Sequence, residues 1–476
     1  PKPRRMDPDR QAKVEAVRRN CRDHLIDYAR SSDPGYLPGR FHHFIAEKLE
    51  RVAAGKCRRL IVSVPPRHGK SRLISIEFPT WLLGRKPFAK IMLASYAAGL
   101  SSTHAKEARA RMLDAPFRSI FPRVAVDPRD RAAEDWRTVQ GGRYLATSVG
   151  GSMTGHGADL LIVDDPHKDF EEAHSETQRE KVWNWFTSTA LTRLGPGGSA
   201  IVIMTRWHPD DLVGRLTDPK KAIEAREILG PRWEPWEVVN LPAIAEEADP
   251  LGRAVGEALH PERYPADELR LIQATVGSYT WNALYRGSPE VKGGNYIGTD
   301  NFVIVDRSPL PDGCLRGRYW DLATSEDALA DFTAGARGGF IPGMPKGKET
   351  LVIEDLAFGQ WRWPLARGKI VALAEAERIL VGVEAVGGFK TSFDNLMEVF
   401  PSDVKVIQTG ADSDKLMRAL PWIALTEAKR VLLVRGPWNE WFLRQCREFP
   451  KGKNDDGIDA VSGLYSLLRS PRPMLA

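Results

Sequence analysis

The sequence predicts an α/β protein organised as two separate domains, and three observations carry that prediction. Short, nearly continuous apolar runs alternate with helical stretches over residues 57–216, and a second such series begins near residue 312. Runs of this kind suit a parallel sheet covered by helices on both faces. The chain has 476 residues, enough for two or three domains at roughly 100–200 residues each. The two series also differ in spacing, and only the first carries a Gly-Lys-Ser turn between strand and helix.

Composition narrows the class. With 42% hydrophobic and 27% charged residues, global disorder is excluded. Lys and Arg number 68 against 62 Asp and Glu, and the resulting +6 is compatible with nucleic acid but diagnostic of nothing. Cys21, Cys57, Cys314 and Cys446 are far apart with no Cys-x-x-Cys pair. Neither a disulfide framework nor a cysteine zinc site is expected, and a reducing cytoplasm fits. No run approaches the ~18 apolar residues that span a bilayer. The basic residues near the start precede no apolar stretch, so no secretory signal and no membrane association are expected.

Taken in order, residues 1–56 read as helical and lead into the first domain. Within 42–56, Phe44, Ile45, Leu49 and Val52 recur on one face. Residues 57–216 hold strands in RRLIVSV (58–64), KIMLASY (90–96), ADLLIVDD (158–165) and SAIVIMT (199–205). Residues 217–300, rich in proline and glycine with a helical piece at 266–277, are expected to form a connecting subdomain. Residues 301–476 form the second domain, with strands at 317–323, 350–358, 379–386 and 404–409 and a closing helix at 457–470.

The first chemistry lies at Arg67-His68-Gly69-Lys70-Ser71, between strand 58–64 and a helix. Backbone N–H groups at such a turn cradle phosphates, Lys70 neutralises the β/γ-phosphates of ATP, and the Ser71 hydroxyl ligates Mg²⁺. The full pattern has glycine five positions before Gly69, where Val64 stands here. LLIVDD (160–165) supplies the complement: Asp164 at a strand end to hold Mg²⁺, and Asp165 to orient the attacking water. Both acids also suit a capping role. Thr205 ends the next strand, placed either to feel the γ-phosphate or to satisfy backbone groups.

The second chemistry is a set of carboxylates. Asp321 and Glu384 each lie mid-run in an apolar strand, an awkward place for a charge without compensation. Asp455, Asp456 and Asp459 stand at or inside the start of the last helix. Converging on one point, such acids bind two Mg²⁺ or Mn²⁺ ions, one activating water and the other stabilising the leaving oxygen of a phosphodiester. Read singly, Asp455 and Asp459 suit ordinary helix-start acids, Asp456 an N-cap and Glu384 an ion pair. Asp331 and Asp355 lie near strands as well and rank below these.

In combination, PPRHGKS, LLIVDDPHKDFEEA, AIVIMTRWHPDDLVGRL, YWDLATSEDALADFTAG, ILVGVEAVGG and KNDDGIDAVSG resemble the large subunit of a tailed-bacteriophage terminase, from about residue 38 to 468. The resemblance implies an N-terminal ASCE-type P-loop ATPase with a parallel sheet and a C-terminal RNase H-like nuclease. It places Lys70 and Ser71 in Walker A, Asp164 and Asp165 in Walker B, and Thr205 in the motif coupling hydrolysis to movement. Asp321, Glu384 and Asp456 become the nuclease acids, with Asp455 adjacent. It implies ATP-driven movement of double-stranded DNA into a procapsid and cutting of concatemers, with the portal, the procapsid and a small terminase subunit as partners. The working form is then a homo-oligomeric ring, with a monomer in solution also compatible, located in the host cytoplasm and docked transiently at the portal. The chain departs from the family pattern in three places. Walker B ends Asp-Asp where Asp-Glu is common, leaving Glu171 and Glu172 as alternatives to Asp165. No arginine stands in 150–161, leaving Arg143, Arg193 and Arg206 as candidate fingers. GRFHHF (39–44) stands where a glutamine often marks the adenine pocket. A DNA-repair helicase–nuclease and an ATP-switched DNA clamp are the alternative readings.

Overall fold

The computed structural model describes residues 7–130, 132–153, 155–230, 234–289, 296–322, 332–343, 349–384, 390–409, 415–450, 452 and 454–469. Contacts divide these into two compact units. One holds the described residues up to Arg270 and those of Asn282–Glu290; the other holds those of Leu271–Trp281 and Val291–Ala476.

In the first unit seven strands form one sheet: β1 (Arg59–Ser63), β2 (Lys90–Ser95), β3 (Asp135–Arg137), β4 (Arg143–Ser148), β5 (Ala158–Asp164), β6 (Leu194–Ile203) and β7 (Glu237–Asn240), in the order β3-β4-β2-β5-β6-β1-β7. All neighbours are parallel except the edge pair β3/β4. Successive strand residues feed two cores in turn, which is why the runs read as continuously apolar. Leu60, Val62, Ile91, Leu93, Leu160, Ile162, Ile201 and Ile203 join one core with Ile45, Leu49 and Val52 of the helix Arg40–Ala53. Ile61, Met92, Ala94, Leu161, Val163, Ala200 and Val202 join the other with Val182 and Trp185 of the helix Glu176–Trp185. Phe44, expected on the buried face, is only partly buried against the first core.

The segment 217–300 differs from expectation. Its strand β7 pairs in parallel with β1 and completes the first sheet, and the segment is shared between the two units. The exposed-looking prolines and glycines hid a four-residue edge strand. The division falls inside the helix Ala266–Thr280, where Gly277 leaves helical geometry at φ +79°.

The second unit also has a seven-stranded sheet, ordered β13-β12-β9-β10-β11-β14-β8: β8 (Val303–Val305), β9 (Arg316–Asp321), β10 (Thr333–Ile341), β11 (Thr350–Gly359), β12 (Leu380–Glu384), β13 (Val406–Thr409) and β14 (Val431–Val434). The central β9-β10-β11 are antiparallel, and the flanking strands add in parallel, giving a mixed sheet. The helix Asp456–Arg469 packs across β9 and β10. Asp321 and Glu384 are the last residues of β9 and β12 rather than mid-strand, so each carboxylate leaves the sheet at an end. All four cysteines are free. Among the described residues no helix is long and apolar enough to cross a membrane.

Candidate active sites

The first site forms where β1, β5 and β6 end side by side. Pro65 and Pro66 terminate β1, since neither can donate to a ladder. The turn that follows holds Arg67 and Gly69 at positive φ, +60° and +80°. Arg67 is exposed, whereas His68 is buried, its Nδ1–H donating to the Pro66 carbonyl at 2.8 Å and its ring stacked on Tyr264. A helical run begins at Lys70 and continues to Arg85, π-helical over Arg72–Glu77.

Because β6 lies between β1 and β5, Thr205 just past its end meets groups from both neighbours. The buried Lys70 Nζ donates to the Thr205 hydroxyl at 2.6 Å and pairs with Asp165 at 3.0 Å. The Thr205 N–H donates to the other Asp165 oxygen at 2.8 Å. Asp165 sits at φ +46°, which turns the chain away from β5 and swings its carboxylate toward Lys70. Asp164 is fully buried and accepts from the hydroxyls of Ser71 (3.1 Å) and Ser75 (2.7 Å). Burial and the Asp165 charge push its carboxyl up from the ordinary range, against the two serines and Lys70. Ser75 and His104, whose Nδ1 lies 3.6 Å from Asp164, escaped sequence reasoning. The signal for Ser75 was present: four residues past Ser71, it shares that helical face.

The alternative residues are placed elsewhere. The Glu172 carboxylate accepts from the Lys168 N–H while Asp169 accepts from the Glu172 N–H, a reciprocal cap on the helix Phe170–His174. Glu171 is exposed. Arg143 is held by Asp135 and Arg206 by Asp211, whereas Arg193 donates to the adjacent Thr192 hydroxyl at the start of β6, the sheet end opposite Lys70. His42 of GRFHHF is buried and bonds to the backbone of the phosphate turn.

In the second unit, parallel β9 and β12 pair Trp320 with Val383, so the next residues, Asp321 and Glu384, end neighbouring strands together. Burial, then the charges of Asp459, Glu384 and Asp456, push the Asp321 carboxyl well above its ordinary range, with Arg418 opposing. Arg418 reaches in from the helix Lys415–Glu427, donating to Glu384 at 3.1 Å and Asp459 at 2.8 Å. Lys415 pairs with Asp455 at 2.7 Å and Asp459 at 3.2 Å. The helix-start position belongs to Asp455, whose carbonyl accepts from Ile458 and Asp459; Asp456 is already in the first turn. Asp459, read from sequence as an ordinary helix acid, is buried, and its charge raises the Asp321 carboxyl. Asp355 instead pairs with the buried Arg318 at 2.6 Å, and Asp331 lies outside the described residues. The charges of Asp459, Glu384 and Asp456 act on Asp321, a set of hard oxygen donors that suits Mg²⁺ or Mn²⁺. Among the described residues no three His, Cys, Asp or Glu side chains stand as a ready-made metal cage; Arg418 and Lys415 hold several of these oxygens.

A family model described as terminase large subunit, T4likevirus-type, N-terminal, matches residues 61–304, and one described as terminase RNaseH-like domain matches residues 318–468. No curated protein matches the chain. Among solved structures, the large terminase of a thermophilic bacteriophage is 12% identical over 88% of this chain and 98% of its own, with a TM-score of 0.47. The large terminase of bacteriophage HK97 is 12% identical over 91% and 96%, with a TM-score of 0.35. The large terminase nuclease of the thermophilic phage G20c with bound magnesium is 13% identical over 35% and 94%, with a TM-score of 0.28.

Proposed function

Starting from a chain that belongs to the terminase large-subunit family, and so to the proteins of phage DNA packaging, we propose that its first unit hydrolyses ATP to drive double-stranded DNA into a procapsid. We propose further that its second unit is the endonuclease that cuts concatemers. The observation that carries the first reading is the single contact set Lys70–Thr205–Asp165 beside Ser71–Asp164, at the ends of three adjacent strands. Lys70 exchanges Asp165 for the β/γ-phosphates of ATP, which frees an Asp165 oxygen to take a proton from the attacking water while Thr205 N–H keeps the carboxylate oriented. Ser71 and Asp164 would hold the Mg²⁺ of the nucleotide. Asp165 is favoured over Glu172 because the latter is committed to its helix cap. Arg193 is favoured as the finger toward a neighbouring copy in a ring, since Arg143 and Arg206 are held by carboxylates of their own chain.

In the second unit Asp321, Glu384 and Asp456 would hold two Mg²⁺ or Mn²⁺ ions, with Asp459 deeper and Asp455 at the margin. Bound there, divalent metal supplies an activated water and charge for the leaving oxygen. Arg418 and Lys415 meanwhile offset the acids and keep them assembled. DNA is held chiefly by its phosphates, with little dependence on sequence. The portal, the procapsid and the small terminase subunit are the proposed partners, in the host cytoplasm. Purified protein added with ATP to portal-bearing proheads should package DNA into nuclease-protected form. Strand displacement without packaging would favour a repair helicase–nuclease, and binding without steady ATP turnover a clamp.

A further inference from the structure

The His68 carbonyl of the turn that presents Lys70 is held by a side chain from a neighbouring helix, His42. His42, in the first turn of the helix Arg40–Ala53, is 3% exposed. Its Nδ1 accepts from the Gly39 N–H at 2.9 Å, which fixes the other ring nitrogen as Nε2–H, and that group donates to the His68 carbonyl at 3.1 Å. Burial, then His260, pushes its pKa down to about 3, so the ring stays neutral and this tautomer persists at ordinary pH. A Cβ on Gly69 would stand 3.1 Å from the same Nε2, so the ring lies against the turn itself. The His68–Gly69 peptide is trans, and in a trans peptide C=O and N–H point to opposite sides. Holding the carbonyl on His42 therefore directs the Gly69 N–H away from that helix. The turn also holds Arg67 in the left-handed region, which a residue with a side chain enters only at a cost, so it needs neighbours to keep it in shape.

We propose that His42 is a positioning residue of the phosphate site: by holding the His68 carbonyl it makes the turn present the Gly69 N–H, and not a carbonyl oxygen, to the bound phosphates. This rests on the reading of the first unit as an ATP site. The test compares wild type, Lys70→Ala, His42→Phe, His42→Asn and His42→Gln in the full chain. ATP binding is measured by calorimetry, inorganic pyrophosphate by competition, and folding by circular dichroism and melting. Phe keeps the ring but has no donor; Gln places an amide N–H where Nε2–H stands; Asn reaches only the Nδ1 position. Loss of the hydrogen bond should weaken ATP and pyrophosphate alike, by about tenfold or more in His42→Phe and His42→Asn, with His42→Gln within about threefold of wild type. Should His42→Phe not fold, His42→Asn against His42→Gln decides. The proposal is overturned if the folded Phe and Asn variants, neither of which can reach the His68 carbonyl with a donor, bind ATP within about twofold of wild type, or if Gln is no better than Asn. It is equally overturned if ATP weakens while pyrophosphate does not, since His42 would then act on the base. Wild type that fails to bind ATP, or Lys70→Ala that binds it equally, instead overturns the site reading itself and this proposal with it.

Discussion

Lys70 carries a charge that is 8% exposed and compensated by Asp165 and the Thr205 hydroxyl. Such a charge is tolerable only beside an anion, and phosphate can replace Asp165 in that role. Lys70→Ala should therefore lower ATP turnover by at least about a hundredfold, the scale of removing one preorganised charge donor, and abolish packaging with it. Metal-dependent nicking should persist, which a plasmid assay on the same preparation checks. The adjacent acids should separate. Asp165→Asn keeps an acceptor for the Thr205 N–H but loses basicity, so nucleotide should bind with Mg²⁺ and turn over slowly. Asp164→Asn leaves the Ser71 and Ser75 hydroxyls a poorer partner and should instead weaken Mg²⁺-dependent binding. Equal, mild effects in both would return these residues to a capping role.

At the scale of the element, glycines decide how closely the second unit packs. Gly463 lies inside the helix Asp456–Arg469, where alanine would ordinarily add roughly 0.5–1 kcal/mol of stability. A Cβ there would stand 2.0 Å from the Tyr319 ring, and the Tyr319 hydroxyl is bonded to Thr409 at 2.6 Å, so the ring cannot simply swing away. The clash should win: Gly463→Ala is expected to cost about 1–3 kcal/mol. It should also shift the turn bearing Asp456 and Asp459, reducing DNA cutting while ATP turnover is unchanged. Raised melting with full nuclease activity would contradict the packing argument. The same close packing explains what sequence reasoning could and could not read. Strands β1, β2, β5 and β6 were legible because their central residues face one core or the other and read as continuous apolar runs. Strand β10 was not, because Gly335, Gly338 and Gly339 break its pattern; a Cβ at Gly338 would meet the Val352 carbonyl oxygen at 2.1 Å. Lys70, Asp164 and Asp165 stand out as acids and a base at a strand end and a turn, where local motifs mark them, whereas Asp321 and Glu384 read as mid-strand and end their strands instead. Arg418 and Lys415 gave no local signal, since their partners are brought in by tertiary packing from distant segments.

For the whole molecule, the division into units decides which fragment can stand alone. A cut at residue 301 looked natural from composition, yet residues 271–281 belong with the second unit. There Gly277 is close against Ala424, and Ser278 donates to Glu427 from both its N–H, at 2.8 Å, and its hydroxyl. A fragment spanning 271–476 has its own two-faced sheet and closing helix and should unfold cooperatively. One spanning 301–476 loses the Glu427 bonds and the Ala424 contact, and should be less stable by about 1–3 kcal/mol, seen as a lower urea midpoint. Both should convert supercoiled plasmid with Mn²⁺ or Mg²⁺ and be indifferent to ATP. In the longer fragment Asp321→Ala and Glu384→Ala should abolish cutting without unfolding it, because each stands at a strand end and Asp321 is buried beside other acids whose charges raise its carboxyl. Identical midpoints for the two fragments would remove residues 271–281 from the folding unit. Cutting that survives both substitutions would sink the carboxylate assignment. If the folded longer fragment is inactive with either metal while the full chain cuts, the nuclease depends on the first unit, and the two chemistries are coupled rather than merely joined.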